Sequence, residues 1–544
     1  MYPMKIALAQ LNYNIGDLEG NFSKIEVAIK KAIKDQADLI VFSELAICGY
    51  PPRDLLDYPG FIERIESYFA PISNWSKQIG ILIGSPTKSN LASGKYLYNS
   101  ALLFDQGKLV HQTNKTLLPT YDIFDEARYF ENNSLFEIVS FRGKKLAITI
   151  CEDVWNEAVL LYDKNPVETL LKKEADYLIV LSASPFDYTH HTNRINLLGG
   201  IASKFKIPIC YINQVGSYTD IIFDGGSMVF DRQGQVIEQL ESFKEDYCLI
   251  SQDTFQSPSK IYQPKAKIEL IHDALVLGIK DYFSKLGFKK AVIGLSGGID
   301  SAVIGILAQR ALGSENVFFV LMPSKYSSDH SITDAEQLAN NIQAPYTKIG
   351  IQTIVDQFED SLEPLFKGLD IDLTEENIQA RTRGVLLMAI SNKLGHILLN
   401  TSNKSEMSVG YSTLYGDMCG GLCALGDVYK QEVFELAKFI NKDKICIPQN
   451  IIDKPPSAEL RPDQKDSDSL PDYEILDQIL YHYVDERKTK EEILGLNFDP
   501  EVVSRIIQLV NNSEYKRYQS PPVLKISTKA FGYGRRMPIV AKYN

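Results

Sequence analysis

One stretch restricts the fold more than any other. Residues 291–295, Ala-Val-Ile-Gly-Leu, form a short apolar run that suits a buried strand. Ser296-Gly297-Gly298-Ile299-Asp300-Ser301 follows directly, a helical pattern runs from near Ile299 to Gly313, and a second apolar run occupies 317–322. Strand, helix, strand at this spacing is a βαβ unit, so the second half of the chain is expected to wind a parallel sheet with helices on both faces. A Gly-Gly pair alone usually marks a turn. At the carboxyl end of such a strand it becomes an anion cradle, because free backbone N–H groups and a helix N-terminus converge there. Ser296 and Ser301 add hydroxyl donors, and Asp300 can hold a Mg²⁺ that bridges phosphate oxygens. The chain contains neither G-x-x-x-x-G-K-[ST] nor G-x-G-x-x-G, which excludes a Walker loop and a dinucleotide fingerprint.

The first half reads differently. Short β-branched runs recur at 6–9, 39–42, 81–84, 100–104, 146–150, 178–181, 209–212 and 227–230. A helical pattern at 21–34 places Phe22, Ile25, Ala28, Ile29 and Ala32 on one face. Turns at Asp105-Gln106-Gly107 and Asp231-Arg232-Gln233-Gly234 suit hairpins, so mixed α/β layering around extended sheets is expected. The segment 252–267 is polar and Pro-containing and reads as a linker. Two domains follow, 1–262 and 263–544, within a chain of 544 residues that is long enough to need no disulfide or metal staple. The charged, turn-rich stretch 457–473 reads as a mobile loop.

Composition excludes several classes. With 57 Lys+Arg against 69 Asp+Glu the chain carries −12, without the basic excess that gripping nucleic acid requires. The seven cysteines form no C-x-x-C pair, so neither a zinc ribbon nor a thioredoxin-like motif is expected. The apolar runs are far too short to span a bilayer and no signal pattern opens the chain, which predicts a soluble, cytoplasmic protein.

In the first half Glu44, Lys115 and Cys151 each end an apolar strand-like run, where side chains leave a sheet for a pocket. A thiolate nucleophile needs a base for its proton and a cation for the oxyanion, and these residues supply base, cation and nucleophile. A lone buried cysteine is more often a small hydrophobe; the order and flanks of the three polar residues decide otherwise. Asp38-Leu39-Ile40-Val41-Phe42-Ser43-Glu44, Gly49-Tyr50-Pro51-Pro52-Arg53-Asp54-Leu55 and Tyr121-Asp122-Ile123-Phe124-Asp125-Glu126-Ala127-Arg128-Tyr129-Phe130 resemble the nitrilase superfamily, nearest its glutaminase domains. That resemblance implies an αββα sandwich, a role for Glu126 in positioning substrate and base, and glutamine held by Tyr121 and Ser184. Six residues after Ser184, where the family carries Lys or Arg, stands His190, so either a protonated His190 or Arg194 is left for the glutamine carboxylate.

The second half is similar to the ATP pyrophosphatase (PP-loop) superfamily through its Ser-Gly-Gly-Ile-Asp-Ser loop. Glu376-Asn377-Ile378-Gln379-Ala380-Arg381-Thr382-Arg383, Thr401-Ser402-Asn403-Lys404-Ser405-Glu406, Gly426-Asp427-Val428-Tyr429-Lys430 and Lys454-Pro455-Pro456-Ser457-Ala458-Glu459-Leu460 narrow the likeness to NAD synthetases. The likeness implies a Rossmann-like doubly wound domain in which Gly294, Leu295, Ser296, Gly297, Gly298, Ile299, Asp300 and Ser301 hold ATP, with Thr401, Lys430 and Ser457 near the adenylate or its phosphates. Asn377, Arg383, Glu406 and Lys516 are then implied to face deamido-NAD⁺, with Asp300 and Glu406 as Mg²⁺ ligands and a homo-oligomer built on this domain.

The two resemblances complement each other chemically. Free ammonia is mostly ammonium near neutral pH, so amide synthesis needs both an activated carboxyl and a source of unprotonated nitrogen. A glutaminase supplying NH₃ to an adenylating domain meets both needs, and the expected reaction converts deamido-NAD⁺, ATP and L-glutamine to NAD⁺, AMP, pyrophosphate and glutamate. The alternative is a glutamine-dependent PP-loop ligase acting on a different carboxylic acid, which would lack the Asn377, Arg383 and Glu406 pattern.

Overall fold

Every residue of the strand Ile6–Gln10 is buried, so at this strand neither face of the sheet meets water and both must be covered. Alternation assigns the faces. Ala7 and Ala9 pack in one apolar cluster with Ile25, Ile29 and Ala32 of the helix Leu18–Lys34. Ile6 and Leu8 pack in another with Leu146, Ile148 and Ile150, from the strand Lys144–Ile150 of a second sheet. The far face of that second sheet, through Ala147, Leu178 and Val180, meets Leu197, Leu198 and Ile201 of the helix His190–Phe205. Helix, sheet, sheet, helix is the αββα arrangement.

A computed structural model provides these coordinates; it describes residues 4–89, 91–157, 161–251, 254, 265–462 and 464–542. The chain divides into two units, 1–264 and 265–544. In the first unit one six-stranded sheet runs in the order Asp246–Ile250, Ile6–Gln10, Leu39–Val41, Gly80–Lys88, Leu97–Asp105, Lys108–Asn114. The other runs Val236–Gln239, Met228–Phe230, Ile209–Asn213, Tyr177–Ser182, Lys144–Ile150, Val139–Phe141. Both expected hairpins form, Leu97–Asp105 with Lys108–Asn114 and Met228–Phe230 with Val236–Gln239, each pair antiparallel. The first helix starts three residues before the apolar pattern, at Leu18, because the Asp17 side chain accepts from Gly20 N and caps it. The expected linker at 252–267 lies mostly outside the described residues.

The second unit carries a five-stranded sheet in the order Tyr346–Lys348, Val317–Leu321, Ala291–Gly294, Ile397–Asn400, Leu422–Cys423, with every pair parallel. Val292, Val320 and Leu398 pack against Leu387 of the helix Leu373–Leu394. Phe319 points the other way, onto Gly305 of the helix Ile299–Leu312, where an added Cβ would stand 2.9 Å from the phenyl ring. Helices therefore cover both faces. The strand order, not the strand direction, reverses between Ala291–Gly294 and Ile397–Asn400, and a crevice opens outside the carboxyl ends of strands at such a switch point. A further apolar cluster joins Leu476 and Ile479 of the helix Tyr473–Leu480 to Val503 and Ile506 of Pro500–Asn512. Among the described residues no helix is long and apolar enough to cross a membrane.

Ile148 lies between the two sheets of the first unit and is 1% exposed. Ile148→Ala is expected to lower unfolding free energy by about 2–5 kcal/mol through lost burial and a residual cavity, read as a lower denaturant midpoint at unchanged slope.

Candidate functional sites

In the first unit Cys151 follows the strand Lys144–Ile150 and opens the 3₁₀ turn Cys151–Glu157. Its φ is +42°, a left-handed conformation that costs a non-glycine residue energy and lifts its side chain out of the strand. Asp153 holds this turn in place. Its carboxylate accepts from Ile150 N at 3.1 Å and from Thr116 N and Leu117 N at 2.9 Å each, which ties the cysteine turn to the residues just beyond Lys115. Burial pushes Asp153 up to about 7 against the pull of those N–H groups.

Lys115 is 1% exposed and lies between two buried carboxylates, 2.7 Å from Glu44 Oε1 and 2.7 Å from Glu126 Oε1. Burial works against its charge, yet Glu126 and Glu44 together hold it well above the ordinary lysine value. Burial raises Glu126 to about 7, partly offset by Lys115. Burial also raises the Cys151 thiol well above the ordinary range; the Glu44 charge adds to this and Lys115 opposes it. The four groups therefore share one electrostatic pocket. Gly84 admits Glu44 to it, since a Cβ there would lie 2.4 Å from Leu45 N and 2.5 Å from Ser43 O.

Around this centre Tyr121 donates to both oxygens of Glu152 at 3.0 Å, and Tyr162 donates to Glu152 Oε1 at 3.0 Å. Ser184 Oγ is 3.0 Å from His190 Nε2. The His190 ring stacks on Trp155 at 4.7 Å and stands 3.6 Å from Asp187 Oδ2. Arg194 is turned elsewhere. Its guanidinium pairs with Asp224 at 2.5 and 2.6 Å and donates to Gly225 O. Burial alone would raise Asp224, but Arg194 and His191 pull it down to about 2. Of the two side chains that the sequence leaves open for the glutamine carboxylate, His190 is the one beside Ser184.

In the second unit the loop 296–301 leaves the strand Ala291–Gly294 at the switch point, and Thr401 leaves its neighbour Ile397–Asn400. Gly297 has φ +77°, and a Cβ there would stand 2.2 Å from Ser331 O, so only glycine fits. Ser296 Oγ accepts from Gly298 N at 3.1 Å and lies 3.1 Å from Ser301 Oγ. A cavity of about 290 Å³ opens here. Gly294, Leu295, Ser296, Gly298, Ile299, Asp300 and Ser301 line it from the loop side, and Thr401, Lys430, Ser457, Arg383 and Glu406 are among the residues that line the rest. Gly297, Asn377 and Lys516 do not line it. Asn377 Oδ1 accepts from Thr413 Oγ1 at 2.7 Å, and Lys516 donates to the carbonyls of Gly410 and Ser412 at 2.7 Å each.

The charges repeat the pattern of the first unit. Lys430 is 2.6 Å from Asp300 Oδ2 and 3.2 Å from Glu406 Oε1, and Asn403 donates to Asp300 Oδ1 at 2.9 Å. Burial pushes Glu406 up to about 8, less the pull of Lys430. Burial also lowers Arg383 to about 10, with Glu459 opposing. Among the described residues no group of three or more His, Cys, Asp or Glu forms a metal cage. Two carboxylates at a phosphate loop nonetheless suit Mg²⁺, which takes one or two protein carboxylates and draws its other ligands from phosphates and water.

Two carboxylates here escaped the sequence reading as site residues. Asp466 lines the same cavity and accepts from Tyr473 at 2.9 Å and Tyr411 at 3.3 Å. Glu459, at φ +48°, accepts from Ser328 Oγ at 2.8 Å and Ser331 Oγ at 2.7 Å. These bonds pin part of 457–473, expected as a loop, against the helix Asp329–Asn341. The available signal was a run of acidic residues next to the Lys454-Pro455-Pro456 block.

The family models agree with this geometry unit by unit: carbon-nitrogen hydrolase over residues 5–255 and NAD synthase over 271–520. A glutamine-dependent NAD(+) synthetase of Synechocystis sp. is 45% identical, over 99% of this chain and 99% of its own. The chain belongs to the glutamine-dependent NAD(+) synthetase family. A Thermotoga maritima member is 38% identical over 100% of this chain and 99% of its own. Among solved structures, the Acinetobacter baumannii enzyme in complex with adenosine diphosphate superposes with a TM-score of 0.79 at 38% identity, covering 99% of this chain and 98% of that one.

Arg194→Met takes the guanidinium from buried Asp224, leaving it His191 at 3.6 Å, and is expected to cost about 3–5 kcal/mol of stability. His190→Ala, at a partly exposed ring, is expected to cost less than about 1 kcal/mol. Chemical denaturation of the two variants checks the assignment of Arg194 to the scaffold.

Proposed function

We propose that residues 1–262 hydrolyse L-glutamine and residues 263–544 adenylate deamido-NAD⁺, so that the chain forms NAD⁺, AMP, pyrophosphate and glutamate from deamido-NAD⁺, ATP and glutamine. The observation that carries this reading is one chain holding both a buried Cys–Glu–Lys pocket and a glycine cradle with a lysine–carboxylate pair at a switch point.

In the first reaction Glu44 takes the Cys151 proton and the sulfur attacks the glutamine carboxamide carbon. Lys115 faces the oxyanion as it develops, with one N–H left after its two carboxylate bonds. The C–N bond breaks, ammonia leaves with the proton that Glu44 returns, and water hydrolyses the thioester to glutamate. Glu126 positions Lys115, while Tyr121, Ser184 and His190 hold the glutamine.

In the second reaction the carboxylate of the nicotinate ring attacks the α-phosphorus of ATP, and the P–O bond to pyrophosphate breaks. The N–H groups and hydroxyls of 296–301, with Thr401, Lys430 and Ser457, hold ATP and its leaving group. Asn377, Arg383, Glu406 and Lys516 serve the dinucleotide. Asp300 and Glu406 would hold Mg²⁺, which neutralises phosphate charge when bound. Ammonia then displaces AMP from the acyl adenylate to give the carboxamide.

We also infer a cytoplasmic homo-oligomer that uses neither nucleic acid nor membrane. Exposed Leu365, Leu369, Ile371, Leu373 and Val385 on and between two helices of the second unit favour a second copy there.

Cys151→Ala is expected to abolish glutamine-supported NAD⁺ formation and leave ammonia-supported formation intact. Lys430→Met should do the reverse to the partial reactions: glutamate release persists while pyrophosphate release falls by about a hundredfold or more. Loss of both syntheses in Cys151→Ala would contradict the division of labour.

A further inference from the structure

Glu44 has two carboxylate oxygens, and only one can receive the thiol proton in a given geometry. A carboxylate offers about four lone-pair positions, two on each oxygen. Oε1 is engaged twice, by Lys115 Nζ at 2.7 Å and by Asn99 Nδ2 at 2.7 Å. Among the described residues Oε2 is engaged once, by Ala183 N at 2.9 Å. The vacant acceptor position therefore belongs to Oε2.

Asn99 sits on the strand Leu97–Asp105, fully buried. Its Nδ2 also lies 3.5 Å from Glu126 Oε2, and its backbone carbonyl accepts from Lys115 N at 2.7 Å. One residue thus touches the base, the cation and the second glutamate. The carboxamide orientation is dictated, since a flip would set Oδ1 against two carboxylates. Oδ1 then lies buried without a hydrogen-bond partner among the described residues. An unmet buried acceptor opposes folding, so a position chosen for packing alone would hold an apolar side chain.

We propose that Asn99 is a positioning residue that occupies Glu44 Oε1 and so presents Oε2 to Cys151 as the base. In the step it serves, the S–H bond breaks, the proton forms an O–H bond at Glu44 Oε2, and the sulfur pair attacks the carboxamide carbon. This inference rests on the proposed glutaminase reading of the first unit.

The test uses the full chain with Asn99→Leu, which keeps the bulk, and Asn99→Asp, which keeps the shape but presents no N–H when ionised. Glutamine-supported and ammonia-supported NAD⁺ formation are measured side by side. Alkylation of Cys151 by iodoacetamide without glutamine is followed by peptide mass spectrometry. Both variants are expected to lose about tenfold to a hundredfold in glutamine-supported kcat, with KM for glutamine changed less than about threefold. Alkylation should slow in the same proportion, and ammonia-supported synthesis should match that of the parent chain. Unchanged kcat in both variants would overturn the proposal, as would a rise in KM at constant kcat. Equal loss of ammonia-supported synthesis would also overturn it, since Asn99 would then be structural only. Cys151→Ala runs in parallel: if it keeps glutamine-supported synthesis, the glutaminase reading itself fails, whereas its loss beside a normal Asn99→Leu removes only the role of Asn99.

Discussion

A buried lysine shared by two carboxylates stands at the centre of each unit, and the surrounding side chains take their positions from it. Lys115 lies between Glu44 and Glu126, and Lys430 between Asp300 and Glu406. Removing an ammonium from water costs several kcal/mol unless good partners meet it. Here partners are in excess, two negative groups for one positive. Burial first, and then the second carboxylate, push Glu126 up to about 7 and Glu406 up to about 8, with the lysines opposing. In each pocket the lysine remains charged, ready for an anion that arrives later: an oxyanion in the first unit, a phosphate in the second.

Apart from Lys430, which opens the helix Lys430–Ile440, the scaffold places these groups by one geometric habit. Glu44, Lys115, Cys151 and Thr401 each stand just beyond a strand's carboxyl end, where backbone pairing ceases and a side chain can leave the sheet. Strands buried on both faces make this rigid, because Ile6 and Leu8 bind one sheet to the next while Ala7 and Ala9 bind it to a helix. Backbone strain appears in both pockets, at φ +42° for Cys151 and at +48° for Glu459 in the cavity lining of the second unit. Asp153 and the serines Ser328 and Ser331 hold those strained turns by hydrogen bonds.

Much of this was legible in the sequence where the determining contacts are local. The loop 296–301 could be read because strand, glycines and helix are consecutive, and its place at the switch point follows from the βαβ pattern. The Glu44, Lys115 and Cys151 set could be read only through flanks and order, since spacing alone does not show three strand ends meeting. Arg194 shows what local reading misses: its partner Asp224 lies 30 residues on, and pairing with it removes Arg194 from the choice left open beside Ser184. Asp466 and Glu459 were hidden by composition, because an acidic, turn-rich stretch looks solvated until tertiary contacts with Tyr473, Ser328 and Ser331 appear. Asn377 and Lys516 remain carried by resemblance, since their side chains bond to neighbouring turns outside the cavity lining.

The central claim is that the nitrogen of the product amide comes from glutamine through Cys151. It is tested most directly by supplying glutamine labelled with ¹⁵N at the amide, together with ATP, Mg²⁺ and deamido-NAD⁺, and weighing the NAD⁺ formed. The account predicts NAD⁺ carrying the label, formed one for one with AMP and with no label in the Cys151→Ala variant. Labelled ammonium collecting in solution with no labelled NAD⁺ formed, or labelled NAD⁺ appearing with the Cys151→Ala variant, would contradict it.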